Sequence, residues 1–287
     1  MSNADAIRDA QRKSWAGLSA GWEKWDSIIM DQLSPVGSAI IESLNLKYDQ
    51  RHLDIATGTG EPGLTIARLA SKGTVVLTDL VGEMLGIAQR RADVQGITNI
   101  ETKVCSAEEL PFSDSSFDSV SVRFGYMFFP DMAKATEEFV RVLKPGGRLC
   151  SSVWVKPAEN PWTSIVMQAI ASEVELPSTN PDSPHMFRCA ASGYIGELYK
   201  GAGLTDVVEW DVGIDLVTES PEQYWEMMSE HVSLAVAALQ KVDETTRLRI
   251  REKVIAEVGT YQEEGKIRVP GLARCIVATK SAASSLG

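Results

Sequence analysis

The chain has 287 residues, of which 44% are hydrophobic, and a formal net charge of −11. This length is enough to bury the core of one large domain. The acid excess argues against a nucleic-acid-binding protein and against binding to an anionic membrane surface, because few basic groups are left to neutralise phosphates. We therefore expect neither a nucleic-acid nor a membrane partner.

The cysteines are scattered along the chain at Cys105, Cys150, Cys189 and Cys275, and no two form a C-x-x-C pair. This spacing indicates free thiols in a reducing compartment. The chain does not start with a basic segment followed by an apolar one, and no apolar run approaches the length of a membrane span. We expect a cytoplasmic protein with no metal site, since no His or carboxylate spacing is typical of one.

Residues 1–33 have an amphipathic helical pattern in which Trp15, Trp22 and Trp25 share one face. Such a face either packs on the body of the domain or forms a mobile lid over a ligand, with Gly17 and Gly21 as hinges. Ser34-Pro35 predicts a turn, and a helix over 36–46 is predicted to follow it.

Strands and helices then alternate along the chain. Strands are predicted at 51–56, 74–78, 100–104, 117–122 and 148–154, with helices at 62–71, 83–93 and 132–143. This order predicts an α/β fold with a parallel, doubly wound sheet that binds ligands at the carboxyl ends of its strands.

The pattern loosens after residue 154. Helices are predicted at 161–171, 191–202, 221–240 and 244–264, and strands at 207–217 and 273–279. The last two strands lie further apart than a hairpin loop requires, so we interpret the intervening helices as a cap. The predicted organisation is a helical lid (1–45), a core (46–218 and 266–280) and a cap insertion (219–265).

The stretch RHLDIATGTGEPG (51–63) organises the chain. Its Gly58-x-Gly60-x-x-Gly63 turn lies between a strand and a helix, and Asp79 ends the second strand twenty-one residues after Gly58. Taken alone, this pattern is typical of a dinucleotide site.

Two details disfavour a dinucleotide. Glu61 places a negative charge at the start of the helix and Pro62 removes an N–H, so the first turn repels phosphate. Asp54 lies inside a strand, where a carboxylate needs a partner, and a ligand ammonium group would supply one. S-adenosylmethionine meets these demands, because it carries a ribose diol suited to Asp79, an α-amino group and no phosphate.

Five motifs carry a family resemblance: LDIATGTG (53–60), Asp79 with Met84-Leu85, SAEELPF (106–112), FDSVSVRFG (117–125) and RVLKPGGRL (141–149). Over about 50–155 the chain resembles the class I S-adenosylmethionine-dependent methyltransferases, and most of all the ubiquinone and menaquinone biosynthesis C-methyltransferase branch. The resemblance implies a Rossmann-like, seven-stranded sheet whose last strand is antiparallel.

The resemblance also implies the roles of the cofactor-binding residues. The glycine turn (Ala56, Thr57, Gly58, Thr59 and Gly60) would wrap the methionine part, near Asp54, and Asp79 would bind the ribose. Leu80 and Met84 would flank the adenine, Ser106, Ala107 and Glu108 would meet its edge, and Arg123 and Phe124 would pass the methionine end. The chain departs from the family pattern at Ser106, where Asp or Asn is usual. It also lacks, at 126–129, the Arg-Asn pair of the quinone enzymes.

A sulfonium cofactor already carries an activated methyl group, so the protein mainly has to align the acceptor and exclude water. An aromatic-rich set predicts a small, apolar or aromatic acceptor; it comprises Trp15, Trp22, Trp25, Tyr126, Phe128, Trp154 and Trp162. His185, His231 and Tyr126 are the candidate bases. The methylated atom and the oligomeric state (monomer or homodimer) stay open, as do two other functions: a non-catalytic S-adenosylmethionine-binding protein and an NAD(P)-dependent oxidoreductase.

Overall fold

The structure is a computed structural model that describes residues 3–176 and 183–282. Its strands are β1 (Arg51–Ile55), β2 (Thr74–Asp79), β3 (Ile100–Val104), β4 (Phe117–Arg123), β5 (Leu143–Trp154), β6 (Leu204–Thr218), β7 (Gln262–Glu263) and β8 (Lys266–Lys280). Its helices are α1 (Asn3–Lys24), α2 (Asp26–Leu44), α3 (Gly63–Leu69), α4 (Gly82–Val94), α5 (Met132–Val142), α6 (Pro161–Ala171), α7 (Tyr194–Gly201), α8 (Pro221–His231), α9 (Ser233–Leu239) and α10 (Glu244–Val258).

The strands form one sheet in the order β3-β2-β1-β4-β5-β8-β6, with the two-residue β7 beside β8. Strands β1 to β5 are parallel, and β8 is antiparallel to both β5 and β6. This confirms the predicted doubly wound sheet with an antiparallel last strand; β7 is an addition. The carboxyl ends of β1, β2 and β4 lie side by side, which places the glycine turn between those of β2 and β4.

The predicted turn at Ser34-Pro35 is wrong, because α2 continues through it. Pro35 has no N–H for the carbonyl of Asp31, but the Ser34 hydroxyl donates to that oxygen at 2.9 Å. One apolar face of α2 is buried: Ile29, Leu33, Val36, Ile40 and Leu44. This burial outweighs the lost main-chain bond, so α2 forms a layer on the sheet and the helical break comes at Trp25.

Helix α1 approaches α8 closely. A Cβ on Gly21 would lie 2.5 Å from the main-chain oxygen of Glu230, so only glycine fits at this contact. Gly21 is therefore a point of close backbone approach within α1 and not the predicted hinge.

The helices between β6 and β8 differ from the prediction in their boundaries. The helix predicted at 221–240 is interrupted at Val232 and forms α8 and α9, and α10 ends at Val258, before β7. The Tyr224 hydroxyl of α8 donates to the main-chain oxygen of Trp162 at 2.7 Å and so attaches these helices to α6. We propose that α8, α9 and α10 form the cap. Within residues 3–176 and 183–282, no helix has the length and apolar character needed to cross a bilayer.

Candidate cofactor and acceptor site

The backbone of the glycine turn is strongly curved. Gly58 and Gly60 have φ of 56° and 111°, and Ala56 has φ of 53°. Phe124 adopts a similar φ of 58° directly after β4. A left-handed conformation costs a non-glycine residue roughly 1–2 kcal/mol, and such strain is concentrated at functional sites. Both strained residues follow strands whose carboxyl ends border the glycine turn.

Asp54 lies completely buried beneath this turn. Its carboxylate accepts hydrogen bonds from Thr57 Oγ1 at 2.5 Å, from the Gly63 amide at 3.2 Å and from the Ser121 hydroxyl. Burial raises the pKa of Asp54 to about 6, against the effect of these bonds. The chain itself thus supplies the hydrogen-bond partners of Asp54, for which the sequence had indicated a ligand ammonium group. Through Thr57 and Gly63, Asp54 also holds the two ends of the turn together.

A second buried polar side chain, His52, continues this network. Its Nε2 lies 2.8 Å from Ser121 Oγ, and its Nδ1 lies 2.8 Å from Ser119 Oγ. Since the Ser121 hydrogen is directed to Asp54, we assign the ring proton to Nε2 and a donating hydroxyl to Ser119. Burial lowers the pKa of His52 to about 3, so the neutral ring is a structural link between β1 and β4.

Asp79 stands at the other end of the turn. Its Oδ2 accepts the Gly58 amide and its Oδ1 the Val81 amide, each at 2.9 Å. Burial raises the pKa of Asp79, although the two amides oppose the shift. Each carboxylate oxygen has a second lone pair, so both can still accept hydroxyl protons from a ribose diol.

Arg123 ends β4 on the opposite side of the turn. Its guanidinium donates to Met30 Sδ at 3.5 Å, and no carboxylate oxygen in the described part of the chain is within ion-pair distance. Burial lowers the pKa of Arg123, while Glu61 and Asp54 nearby oppose the shift. A half-buried guanidinium without an oxygen partner is suited to a ligand carboxylate.

A group that the sequence analysis missed attaches α2 to the turn. Arg91 Nη1 lies 3.1 Å from Asp26 Oδ1 and donates to the Thr59 carbonyl at 2.8 Å, while Thr59 Oγ1 donates to Asp26 at 3.1 Å. These residues are far apart in sequence and form no motif, so nothing in the sequence pattern could have indicated the contact.

Glu61 directs its carboxylate to the first turn of α3. Oε2 accepts the Thr65 amide at 3.1 Å, and Oε1 lies 3.8 Å from Arg91. An anionic side chain thus already accepts a hydrogen bond from one of the free amides at this helix start, which agrees with the expectation that phosphate is repelled there.

Helix α1 covers the side on which adenine is expected. Trp15 and Trp22 pack with Leu80 against an apolar cluster that contains Met84. Glu108 is buried; it accepts the Ser106 hydroxyl and the Asp131 amide, and Arg8 of α1 lies 3.4 Å from it. Ala107, which lies between Ser106 and Glu108 in the sequence, is half-buried.

The predicted acceptor pocket separates into two aromatic groups. In the first, the Trp15 ring lies edge-on 5.1 Å from Phe128 and 6.0 Å from Trp22. In the second, Phe124 stacks on Trp154 at 4.1 Å with 9° between the planes, and Trp162 lies 5.0 Å from Trp154.

Two of the expected pocket residues lie elsewhere. Tyr126 is completely buried among core aromatics, and its hydroxyl is bonded to Thr136 at 3.1 Å. Burial raises its pKa, so the structure removes Tyr126 as a candidate base and as a pocket residue. Trp25 is also buried, and its Nε1 donates to Glu230 at 2.7 Å, which fixes the junction of α1 and α2 on α8.

The two candidate histidines differ in position. His185 is half-buried, and its Nδ1 accepts the Phe187 amide at 3.2 Å. His231 is buried at the end of α8, with its ring edge-on 6.0 Å from Trp22. Within the described residues, His231 is therefore the one of these two histidines that contacts the first aromatic group.

Comparisons with known proteins agree with this arrangement. The sequence model of the ubiE/COQ5 methyltransferase family matches residues 25–173. The ubiquinone/menaquinone biosynthesis C-methyltransferase UbiE of Proteus mirabilis is 39% identical over 127 residues, which are 44% of this chain and 51% of that protein. The chain thus spans about half the length of the curated relatives it matches.

Solved structures share the fold. YcgJ of Bacillus subtilis has a TM-score of 0.56 at 19% identity and covers 86% of this chain and 98% of its own. Phosphoethanolamine N-methyltransferase 2 of Haemonchus contortus, with S-adenosylhomocysteine, has a TM-score of 0.51 at 18% identity, over 86% of this chain and 52% of that one. Because the family model spans more than half of the sequence, the chain belongs to the ubiE/COQ5 methyltransferase family and has the class I S-adenosylmethionine-dependent methyltransferase fold.

Proposed function

We propose that the chain transfers the methyl group of S-adenosylmethionine to a small aromatic acceptor. The observation that carries this proposal is the placement of Asp79 and Arg123 on strands that flank β1 and its glycine turn. The carboxylate suits a ribose diol, and the guanidinium suits the methionine carboxylate. These two groups fit the opposite ends of the cofactor, with the curved backbone of the turn between them.

When bound, the cofactor supplies a methyl group activated by its sulfonium. The chain's own residues bind and orient the cofactor and shield it from water. Asp54 fixes the shape of the turn through Thr57 and Gly63, while α1 places Trp15 and Trp22 over the adenine side and excludes water. Alignment and exclusion of water supply a large part of the rate enhancement in such a reaction.

For the acceptor we propose an aromatic ring that bears a hydroxyl group, with hydroquinones as the first candidates. The name of the Proteus relative supports a quinone-type ring, and the stacked Phe124 and Trp154 support an aromatic one. The segment 126–129 lacks the Arg-Asn pair of the quinone enzymes, which supports an acceptor that differs in its substituents.

The direct test is turnover with labelled S-adenosylmethionine on a panel of monocyclic and bicyclic hydroquinones, charged amines and a protein substrate. We expect the label to appear in an aromatic product together with S-adenosylhomocysteine, and mass spectrometry then shows whether carbon or oxygen was methylated. Turnover confined to charged or macromolecular acceptors contradicts the proposal. Tight cofactor binding without any turnover favours the non-catalytic alternative.

The oxidoreductase alternative makes a different prediction. It requires a diphosphate at the start of α3, where the Glu61 carboxylate already accepts the Thr65 amide. Calorimetry with NAD⁺ separates the two functions, because we expect heat of binding from S-adenosylhomocysteine and none from NAD⁺.

A further inference from the structure

The indole nitrogen of Trp22 is a buried donor that has no hydrogen-bond partner among the described residues. Trp15 and Trp25, on the same face of the chain's first helical segment, differ in this respect. Trp15 Nε1 donates to Gln11 at 3.2 Å, and Trp25 Nε1 donates to Glu230 at 2.7 Å. Buried polar groups in folded proteins are nearly always bonded, so the Trp22 donor is a candidate to bind an acceptor oxygen of a ligand.

Close packing on both sides fixes the position of Trp22. One side of the residue packs on the cluster of Val81, Met84 and Ile87, along the wall expected to hold the adenosine. On the other side, the glycine contact at Gly21 holds α1 against the backbone of α8. The indole is thus held between the expected cofactor and the end of α8.

His231 ends α8 and faces this indole. The two rings lie 6.0 Å apart and edge to face, at 72°. His231 Nδ1 lies 2.8 Å from the Met227 carbonyl, which can only accept, so the neutral ring carries its proton on Nδ1 and keeps a lone pair on Nε2. No described residue bonds to Nε2.

Burial leaves His231 neutral near pH 7, in spite of the negative charge beside it. Burial lowers its pKa to about 4, although Glu230 opposes the shift. The Glu230 carboxylate is engaged from the α1 side by Lys24 Nζ and Trp25 Nε1, each at 2.7 Å. A neutral imidazole with a free lone pair is the form that accepts a hydrogen bond from a hydroxyl group.

We propose that Trp22 and His231 together bind the hydroxyl group of the acceptor, an inference that rests on the proposed methyltransferase function. Trp22 Nε1 donates to the hydroxyl oxygen, and His231 Nε2 accepts a hydrogen bond from the hydroxyl group. The hydroxyl group keeps its proton, because burial disfavours the charged imidazolium. The edge-on Trp15 and Phe128 rings then receive the aromatic ring of the acceptor.

The test uses three probes of nearly equal shape on the full chain saturated with S-adenosylhomocysteine. 1-Naphthol can engage both residues, 1-methoxynaphthalene offers oxygen to Trp22 but has no proton for His231, and naphthalene offers neither. We expect calorimetry to rank their affinities in that order, with roughly a three- to tenfold difference at each of the two steps, equivalent to one net hydrogen bond per step.

Two variants assign the contributions. Trp22→Phe keeps a ring but removes the donor, so it should abolish the preference of 1-methoxynaphthalene over naphthalene. His231→Asn keeps an amide able to donate to the Met227 carbonyl, and it should abolish the preference of 1-naphthol over 1-methoxynaphthalene. Each comparison uses the ratio of probe affinities within one variant, and cooperative unfolding in urea shows that each variant is folded.

Equal affinities of the wild type for 1-naphthol and naphthalene, or no binding of 1-naphthol, overturn the inference. The same holds if either variant keeps the preference that it should lose. Failure of the wild type to bind S-adenosylhomocysteine overturns the proposed function, and this inference with it. Binding of S-adenosylhomocysteine without discrimination among the probes overturns this inference alone.

Discussion

Asp79 Oδ2 accepts the main-chain N–H of Gly58 at 2.9 Å, which joins the acid at the end of β2 to the first glycine of the turn. The contact orients the carboxylate and shapes the turn at the same time. It explains why a twenty-one-residue spacing between the two residues is informative in a single sequence.

Asp79→Ala should weaken S-adenosylhomocysteine binding by about 1.5–3 kcal/mol, or roughly 10- to 150-fold, because the ribose loses a charged acceptor. Calorimetry measures the change. Asp93→Asn is the matched control, since Asp93 is exposed on α4 and, among the described residues, its carboxylate accepts a hydrogen bond only from Gln89. A dissociation constant that Asp79→Ala leaves unchanged would remove this residue from the site.

Arg123→Ala should weaken S-adenosylhomocysteine binding roughly tenfold or more, because the methionine carboxylate loses a charge-assisted partner. 5′-Methylthioadenosine has no carboxylate, so its affinity should not change in this variant, whereas Asp79→Ala should weaken both ligands. If both ligands lose affinity equally in Arg123→Ala, the guanidinium does not hold the carboxylate.

Gly21→Ala should destabilise the protein by about 1–3 kcal/mol, because its Cβ would lie 2.5 Å from the Glu230 oxygen and overpack the contact between α1 and α8. Gly17→Ala is the control on the same helix, where a Cβ meets nothing within 4 Å. It should stabilise the protein by up to about 1 kcal/mol through helix propensity. Chemical denaturation measures both, and a Gly21→Ala protein as stable as Gly17→Ala would contradict the packing described.

His231 should make stability depend on pH. Its pKa is lowered from 6.5 to about 4 by burial, so below pH 6.5 the unfolded chain takes up a proton that the folded chain does not. The stabilising contribution is complete above pH 6.5 and is lost as the pH falls toward 4. Between pH 7 and 5 the wild type should lose about 2 kcal/mol more free energy of unfolding than His231→Asn does. If urea titrations show that the wild type and His231→Asn lose the same free energy of unfolding over this pH range, the His231 ring is not both neutral and buried.

The sheet was predictable because β1, β2 and β4 each contain apolar residues and alternate along the chain with turns and helices. Each local signal agrees with the global topology there. Asp79 follows from the same regularity, since it ends a predicted strand at the edge where ligands bind. Arg123 comes directly after another predicted strand, and its role was implied by the family resemblance.

The errors come from residues whose roles depend on distant partners. The predicted turn at Ser34-Pro35 was wrong because burial of one face of α2 continues the helix through the proline. Tyr126 follows β4 in sequence, but it lies in the core because its hydroxyl is hydrogen-bonded to Thr136 and its ring packs on Phe139 of α5. No local pattern distinguishes His231 from His185, since the difference is made by the packing of α1 on α8.

A crystal structure with S-adenosylhomocysteine tests the central claim most directly. We predict that both ribose hydroxyls lie within hydrogen-bond distance of the Asp79 carboxylate, about 2.7–3.0 Å, and that the ligand carboxylate contacts Arg123 across the glycine turn. A ribose placed away from Asp79, or a ligand carboxylate bound on the opposite side from Arg123, would contradict the account.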